Sequence, residues 1–151
     1  MGDMSRRNAV NGIVLLCAGA ALTVALPAIG AENVPLAIKG YDTVAYFTVG
    51  RPVEGLSQFE FEWDELRYRF SSEGNLKLFK ADPVRYAPQF ANFCAMALTR
   101  GEIHEANPKY WLISDGKLYI FGESFGPGRF RENVDQNVAK ANQNRPLIGN
   151  H

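Results

Sequence analysis

The sequence predicts an α+β domain: a small antiparallel β-sheet of hairpins, short helices packed on one face, and a C-terminal amphipathic helix. Three observations predict it. Residues 59–70 alternate between aromatic and charged side chains, the period of a half-buried strand. Asp115-Gly116 separates two β-prone runs, a strong two-residue turn signal. Phe130, Val134 and Val138 recur at helical spacing among Arg131, Glu132, Asp135 and Lys140.

Residues 1–31 read as an export signal. Arg6 and Arg7 give a positive start, Ile13 to Leu26 is an uncharged run of apolar and small residues, and Ala28-Ile29-Gly30 precedes Ala31 as a cleavage point. Ser5-Arg6-Arg7 resembles a twin-arginine signal, although Ala9 stands where an aromatic residue is usual, so that route and the general secretory route both stay open. The run from Gly12 to Ala31 also has the length of a membrane span, which makes an uncleaved anchor the alternative. Leu16 is too bulky for a lipoprotein acceptor at Cys17. The expected compartment is the periplasm.

The chain carries 16 Lys or Arg and 16 Asp or Glu, and the signal removes only Arg6, Arg7 and Asp3. The exported part is therefore nearly neutral, with no basic stripe to track phosphates, which excludes nucleic acid as the expected partner. Of the two cysteines only Cys94 remains, so the fold cannot rest on an internal disulfide. Its stability must come from aromatic burial, since all ten Phe, all six Tyr and both Trp follow the signal.

A single domain is expected over residues 32–143, followed by a loose tail over 144–151, with no internal repeat. Residues 32–39 form a lead-in, residues 40–47 a strand, and Gly50-Arg51-Pro52 a turn. A turn at Asp64-Glu65 pairs Trp63 with Leu66, Glu62 with Arg67, Phe61 with Tyr68, Glu60 with Arg69 and Phe59 with Phe70. One face is then aromatic and the other carries two cross-strand ion pairs. Asp-Glu is a poor pair for a type I′ turn, so a wider turn is the alternative. Ser71 or Ser72 caps the following helix, with Glu73 at its positive end and Leu76 and Phe79 facing the sheet. Asp82-Pro83 opens a further helical turn, and residues 110–114 and 117–121 form the second hairpin.

These parts resemble the exported single-domain members of the YHS-domain family. The resemblance runs from Gly40 to Pro146. It is carried by Gly-Tyr-Asp-x-Val-Ala-Tyr-Phe at 40–47, Glu62-Trp63, Tyr-x-Phe-x-Ser at 68–72, Phe79, Asp82-Pro83 and Tyr86-Ala87-Pro88. Phe93-Cys94-Ala95, Pro108, Trp111, Asp115 to Tyr119 and Asn137 to Lys140 complete it. The resemblance implies an α+β domain with a ligand- or metal-binding role. Three positions depart from the pattern. Arg69 replaces the family histidine, and Ser71 and Asn75 replace the two cysteines of the metal-binding relatives. A hydroxyl and an amide are poor ligands for soft or borderline metals, so that role does not carry over at this site.

The remaining candidates are weighed residue by residue. Cys94 lies among apolar neighbours, where a free cysteine is usually an inert buried hydrophobe; a copper ligand and a reactive thiol are the alternatives. Together, Cys94, Met96 and His104 would make a soft three-ligand set suited to copper as Cu(I). His104 alone reads as a solvated imidazole between Glu102 and Glu105, and His151 as terminal and disordered. Asp42 reads first as a turn former, and with Tyr41 and Tyr46 as part of an aromatic small-ligand pocket. Arg69 reads first as the partner of Glu60, and otherwise as an anion-binding group in that site. The expected function is a non-catalytic small-ligand or metal-ion-binding accessory domain of the cell envelope. A thiol-dependent enzyme using Cys94 and a module docking an envelope protein are the other classes.

Overall fold

The computed structural model describes residues 33–149. The export signal read over 1–31, and His151, lie outside the described residues. Within them the chain is an α+β fold of two antiparallel hairpins and several short helices. The hairpins are two separate two-stranded sheets, not the single sheet expected. Among the described residues no helix is long and apolar enough to cross a membrane.

The strand expected over residues 40–47 is instead a 3-10 turn, Ala37–Gly40, followed by helix α1, Ala45–Thr48. The cause is local. Asp42 Oδ1 accepts the N–H groups of Val44 (2.9 Å) and Ala45 (3.2 Å), which caps a helical turn and takes these groups away from any strand ladder. Gly40 precedes it at φ +85°, a conformation open to glycine.

Strands β1 (Leu56–Trp63) and β2 (Leu66–Phe70) pair in the predicted register from Trp63↔Leu66 to Glu60↔Arg69. The two-residue turn holds, with Asp64 and Glu65 both at positive φ (49° and 61°). On the wet face Arg67 meets Glu62 at 2.8 Å and Arg69 meets Glu60 at 2.6 Å. The last expected pair fails: Phe70 faces Leu56, not Phe59, across a bulge. The chain before β1 is held elsewhere, by Asp42 N–H to the Val53 carbonyl (2.8 Å) and Gly55 N–H to the Gly40 carbonyl (2.9 Å). Gly55 lies so close to the Arg69 backbone that a Cβ there would stand 2.5 Å from it.

Helix α2, Glu73–Ala81, is capped by Ser72, whose Oγ accepts the Asn75 N–H (3.1 Å). Helix α3, Pro83–Tyr86, is capped by Asp82. Helix α4 spans Ala95–Leu98. Strands β3 (Asn107–Ser114) and β4 (Lys117–Phe121) meet at the predicted Asp115-Gly116 turn, again with both residues at positive φ. The single C-terminal helix expected is two, α5 (Gly126–Arg131) and α6 (Val134–Gln143), because Asn133 leaves the helical region at φ −153°, ψ 72°. Phe130, Val134 and Val138 still share one core cluster. The tail expected to be loose from 144 is a 3-10 turn over Arg145–Ile148. Asn144 Nδ2 donates to the Leu98 carbonyl (2.7 Å), and buried Ile148 joins the same core.

Contrary to the expectation of no internal repeat, the structure contains one. β1–turn–β2 (56–70) and β3–turn–β4 (107–121) have identical strand and turn lengths at an offset of 51 residues. Their bulges fall at equivalent places, Leu56/Glu60 and Asn107/Trp111. Phe79 packs on Tyr68 and Phe70 with ring centroids 4.5 and 5.0 Å away; Phe130 packs on Tyr119 and Phe121 at 5.1 and 5.3 Å. Asp82 and Asn133, again 51 apart, share nearly the same backbone angles before their helices. Ahead of each hairpin, Asp42 N–H bonds the Val53 carbonyl, and Cys94 N–H bonds the His104 carbonyl at 2.8 Å. Here the offset is 52 at one partner and 51 at the other, a one-residue difference in the intervening loop.

Burial raises Tyr46, Tyr68 and Tyr119 above the ordinary phenol pKa of 10.0. Above pH 10 the unfolded chain releases these protons while the folded chain keeps them, so the unfolded state gains. The stability held below pH 10 should then fall as the pH rises further, by at most about 1.4 kcal/mol per pH unit for each of Tyr46 and Tyr68. Urea midpoints measured from pH 8 to 11.5 check this; a flat profile above pH 10 would contradict it.

Candidate functional site

Asp42 is fully buried and is the most heavily bonded side chain of the candidate set. Besides the two α1 amides on Oδ1, its Oδ2 accepts from Ser71 N–H (2.8 Å), Ser71 Oγ (2.6 Å) and Asn75 Nδ2 (2.7 Å). Five donors fill the acceptor capacity of a carboxylate, which is about four lone-pair sites. Ser71 and Asn75 are thus the clamp on this carboxylate. The set offers no soft ligand and leaves Asp42 no acceptor for a metal or small molecule. Here a metal does not fit.

The expected aromatic pocket does not form around Asp42. Tyr46 is 1 % exposed, and its hydroxyl donates to the Pro108 carbonyl at 2.7 Å, joining α1 to β3. Burial, followed by smaller effects of Tyr41 and Asp42, keeps this phenol protonated. Tyr41 reaches the other way, to Glu54 at 3.4 Å. Arg69 is the partner of Glu60, its first reading, and its backbone lies against Gly55.

The three soft donors do come together. Cys94, Met96 and His104 line one cavity of about 100 Å³, with Arg100, Gly122 and Phe125 among its other walls. Cys94 and His104 meet there because the Phe93–Glu105 bridge pairs their segments, with Cys94 N–H donating to the His104 carbonyl. Met96 follows on the first turn of α4. Cys94 is 5 % exposed, and its Sγ accepts the Ala97 N–H at 3.4 Å as the cap of α4. The His104 side chain is 60 % exposed, with Nε2 3.8 Å from Glu102. Glu102 in turn binds Arg100 at 2.6 Å. That bond holds the Glu102 carboxyl below its ordinary value and raises the Arg100 guanidinium above its own. Among the described residues no three His, Cys, Asp or Glu side chains are grouped to hold a metal, so any ion here depends on the Met96 thioether.

A larger cavity, about 150 Å³ between Trp63, Tyr68, Val84 and Arg145, holds none of the candidate donors. Sequence reasoning missed Arg100 and Gly122 as walls of the Cys94 cavity, and it missed that Ser71 and Asn75 turn toward Asp42. The usable signal was a recurrence: Tyr-x-Phe followed nine residues later by Phe, at 68–79 and again at 119–130.

No family model matches the chain, and no curated protein or solved structure matches it.

Removing the Asp42 carboxylate strands buried donors on α1, Ser71 and Asn75. Asp42→Ala should cost about 3–5 kcal/mol and Ser71→Ala about 1–3 kcal/mol in urea unfolding. A loss under about 1 kcal/mol for Asp42→Ala would show that these donors find other partners.

Proposed function

We propose that the chain is an exported, non-catalytic YHS-type domain of the cell envelope that binds a soft metal ion, Cu(I) in preference to harder ions. The observation carrying this reading is the convergence of Cys94, Met96 and His104 on one cavity. Thiolate, thioether and imidazole are the ligand types that favour Cu(I), which accepts low coordination numbers, while the carboxylates nearby are occupied with basic partners. Glu102 beside His104 can orient the imidazole, as carboxylates do for metal-bound histidines. The proposed site is separate from the Ser71–Asn75 position, where the family pattern would place its cysteines. Export through residues 1–31 and the family itself rest on the sequence motifs. Thiol-dependent catalysis fits less well, because Cys94 is nearly buried and its sulfur caps a helix.

Anaerobic titration against a chromophoric Cu(I) chelator tests the reading. The native chain should bind one Cu(I). Cys94→Ser, which keeps a helix-capping oxygen, should abolish binding, and Met96→Leu or His104→Gln should weaken it by about tenfold or more. Cu(I) binding that persists in Cys94→Ser, or is missing from the native chain, would overturn it.

A further inference from the structure

The internal repeat gives the Cys94 cavity an origin and a boundary. Asp42 and Cys94 occupy the same place in the two halves. Each follows an aromatic residue, each donates its N–H to a carbonyl of the segment leading into the hairpin (Val53 and His104), and each accepts a backbone N–H of the short helix that follows. At the offset of the hairpins, Ser71 corresponds to Gly122 and Asn75 to Gly126. In the first half these residues clamp the acidic side chain. In the second half both positions lack side chains, and both glycines line the cavity over Cys94. A Cβ built on Gly122 would stand 3.8 Å from Cys94 Sγ and 3.1 Å from the Glu105 carbonyl, so a side chain there would enter the cavity.

We infer that the Cys94 cavity is the second copy of the Asp42 clamp, opened by the loss of side chains at Gly122 and Gly126, and that this opening admits the ion. The inference rests on the reading of the cavity as a soft-ion site for its ligand, but not for its geometry. The two glycines are then specificity-determining residues. In the first half the acceptor is closed by internal donors, and no ligand enters. In the second half the acceptor is a sulfur, its internal donors are gone except the Ala97 amide, and a soft cation takes the place of the hydroxyl and amide. Gly126 is also constrained by packing, since a Cβ there would lie 2.7 Å from Phe121 Cβ. Gly122 is the position to test, because the first half accommodates a serine at the matching site.

The experiment compares the full chain with Gly122→Ser, Cys94→Asp and the double variant, in urea unfolding and in Cu(I) competition. Cys94→Asp alone places a carboxylate in the second half without its clamp and should lower the urea midpoint sharply. Adding Gly122→Ser should restore part of that loss, as Ser71 does for Asp42. Gly122→Ser alone should lower Cu(I) affinity by about tenfold or more with all three donors retained. A double variant no more stable than Cys94→Asp, or a Gly122→Ser chain that binds Cu(I) as the native chain does, would overturn the inference. A native chain that ignores Cu(I) while the double variant is rescued would instead remove the copper reading and leave the paired-site geometry standing.

Discussion

The buried Asp42 carboxylate is the interaction on which the N-terminal half depends. Taking a carboxylate out of water without hydrogen bonds is very costly, and here the cost is offset by five donors from three separate places in the chain. Two of them are the Val44 and Ala45 amides at the start of α1, two belong to Ser71, the residue after β2, and one comes from the first turn of α2. The bonds therefore fix the angle between the N-terminal turn, the first hairpin and the helix over its aromatic face. Bonds of this kind, to one charged group in a dry site, strengthen one another. The register of β1 follows from the same anchoring, because the Asp42 backbone holds Val53 and leaves β1 to bulge before it can reach Phe70.

The second half uses the same architecture with a different chemical solution. Phe130 replaces Phe79 under Tyr119 and Phe121, and Asn133 replaces Asp82 at the start of the following helix. Cys94 stands where Asp42 would, without a side-chain clamp. An apolar thiol needs little hydrogen bonding, so the loss of the two clamp residues is tolerated where loss around a carboxylate would not be. One half thus holds the fold through its clamped carboxylate, while the matching place in the other half is a cavity lined by Cys94, Met96 and His104.

Much of this was legible in the residues. The alternation of Phe59, Phe61 and Trp63 with acidic residues fixed four of five hairpin pairs, and Asp115-Gly116 fixed the second turn, because period-two burial and turn chemistry are local properties. Ser72 and Asp82 announced their helices in the same way. Residues 40–47 contain β-prone Val44, Tyr46 and Phe47 and yet form no strand. The side chain of Asp42 bonds local amides and wins them for a helical turn. The tail was misread because Ile148 is one apolar residue among polar ones, and only its contact with Leu98's neighbourhood gives it a place. The co-location of Cys94, Met96 and His104 was named from donor chemistry, but the bridge between residues 93 and 105 that brings them together is non-local and had no sequence signal of its own. The repeat was hidden because its two halves share spacing and a few aromatics while their charged and polar positions differ.

With five donors from three segments on one buried carboxylate, the Asp42 clamp should open only when the whole domain unfolds. Native-state hydrogen exchange at the amides of Val44, Ala45 and Ser71 measures it most directly, compared with the slowest-exchanging amides of β2. Equal opening free energies are expected for these sites. Exchange of Ser71 or Ala45 through a separate, much smaller opening would contradict it.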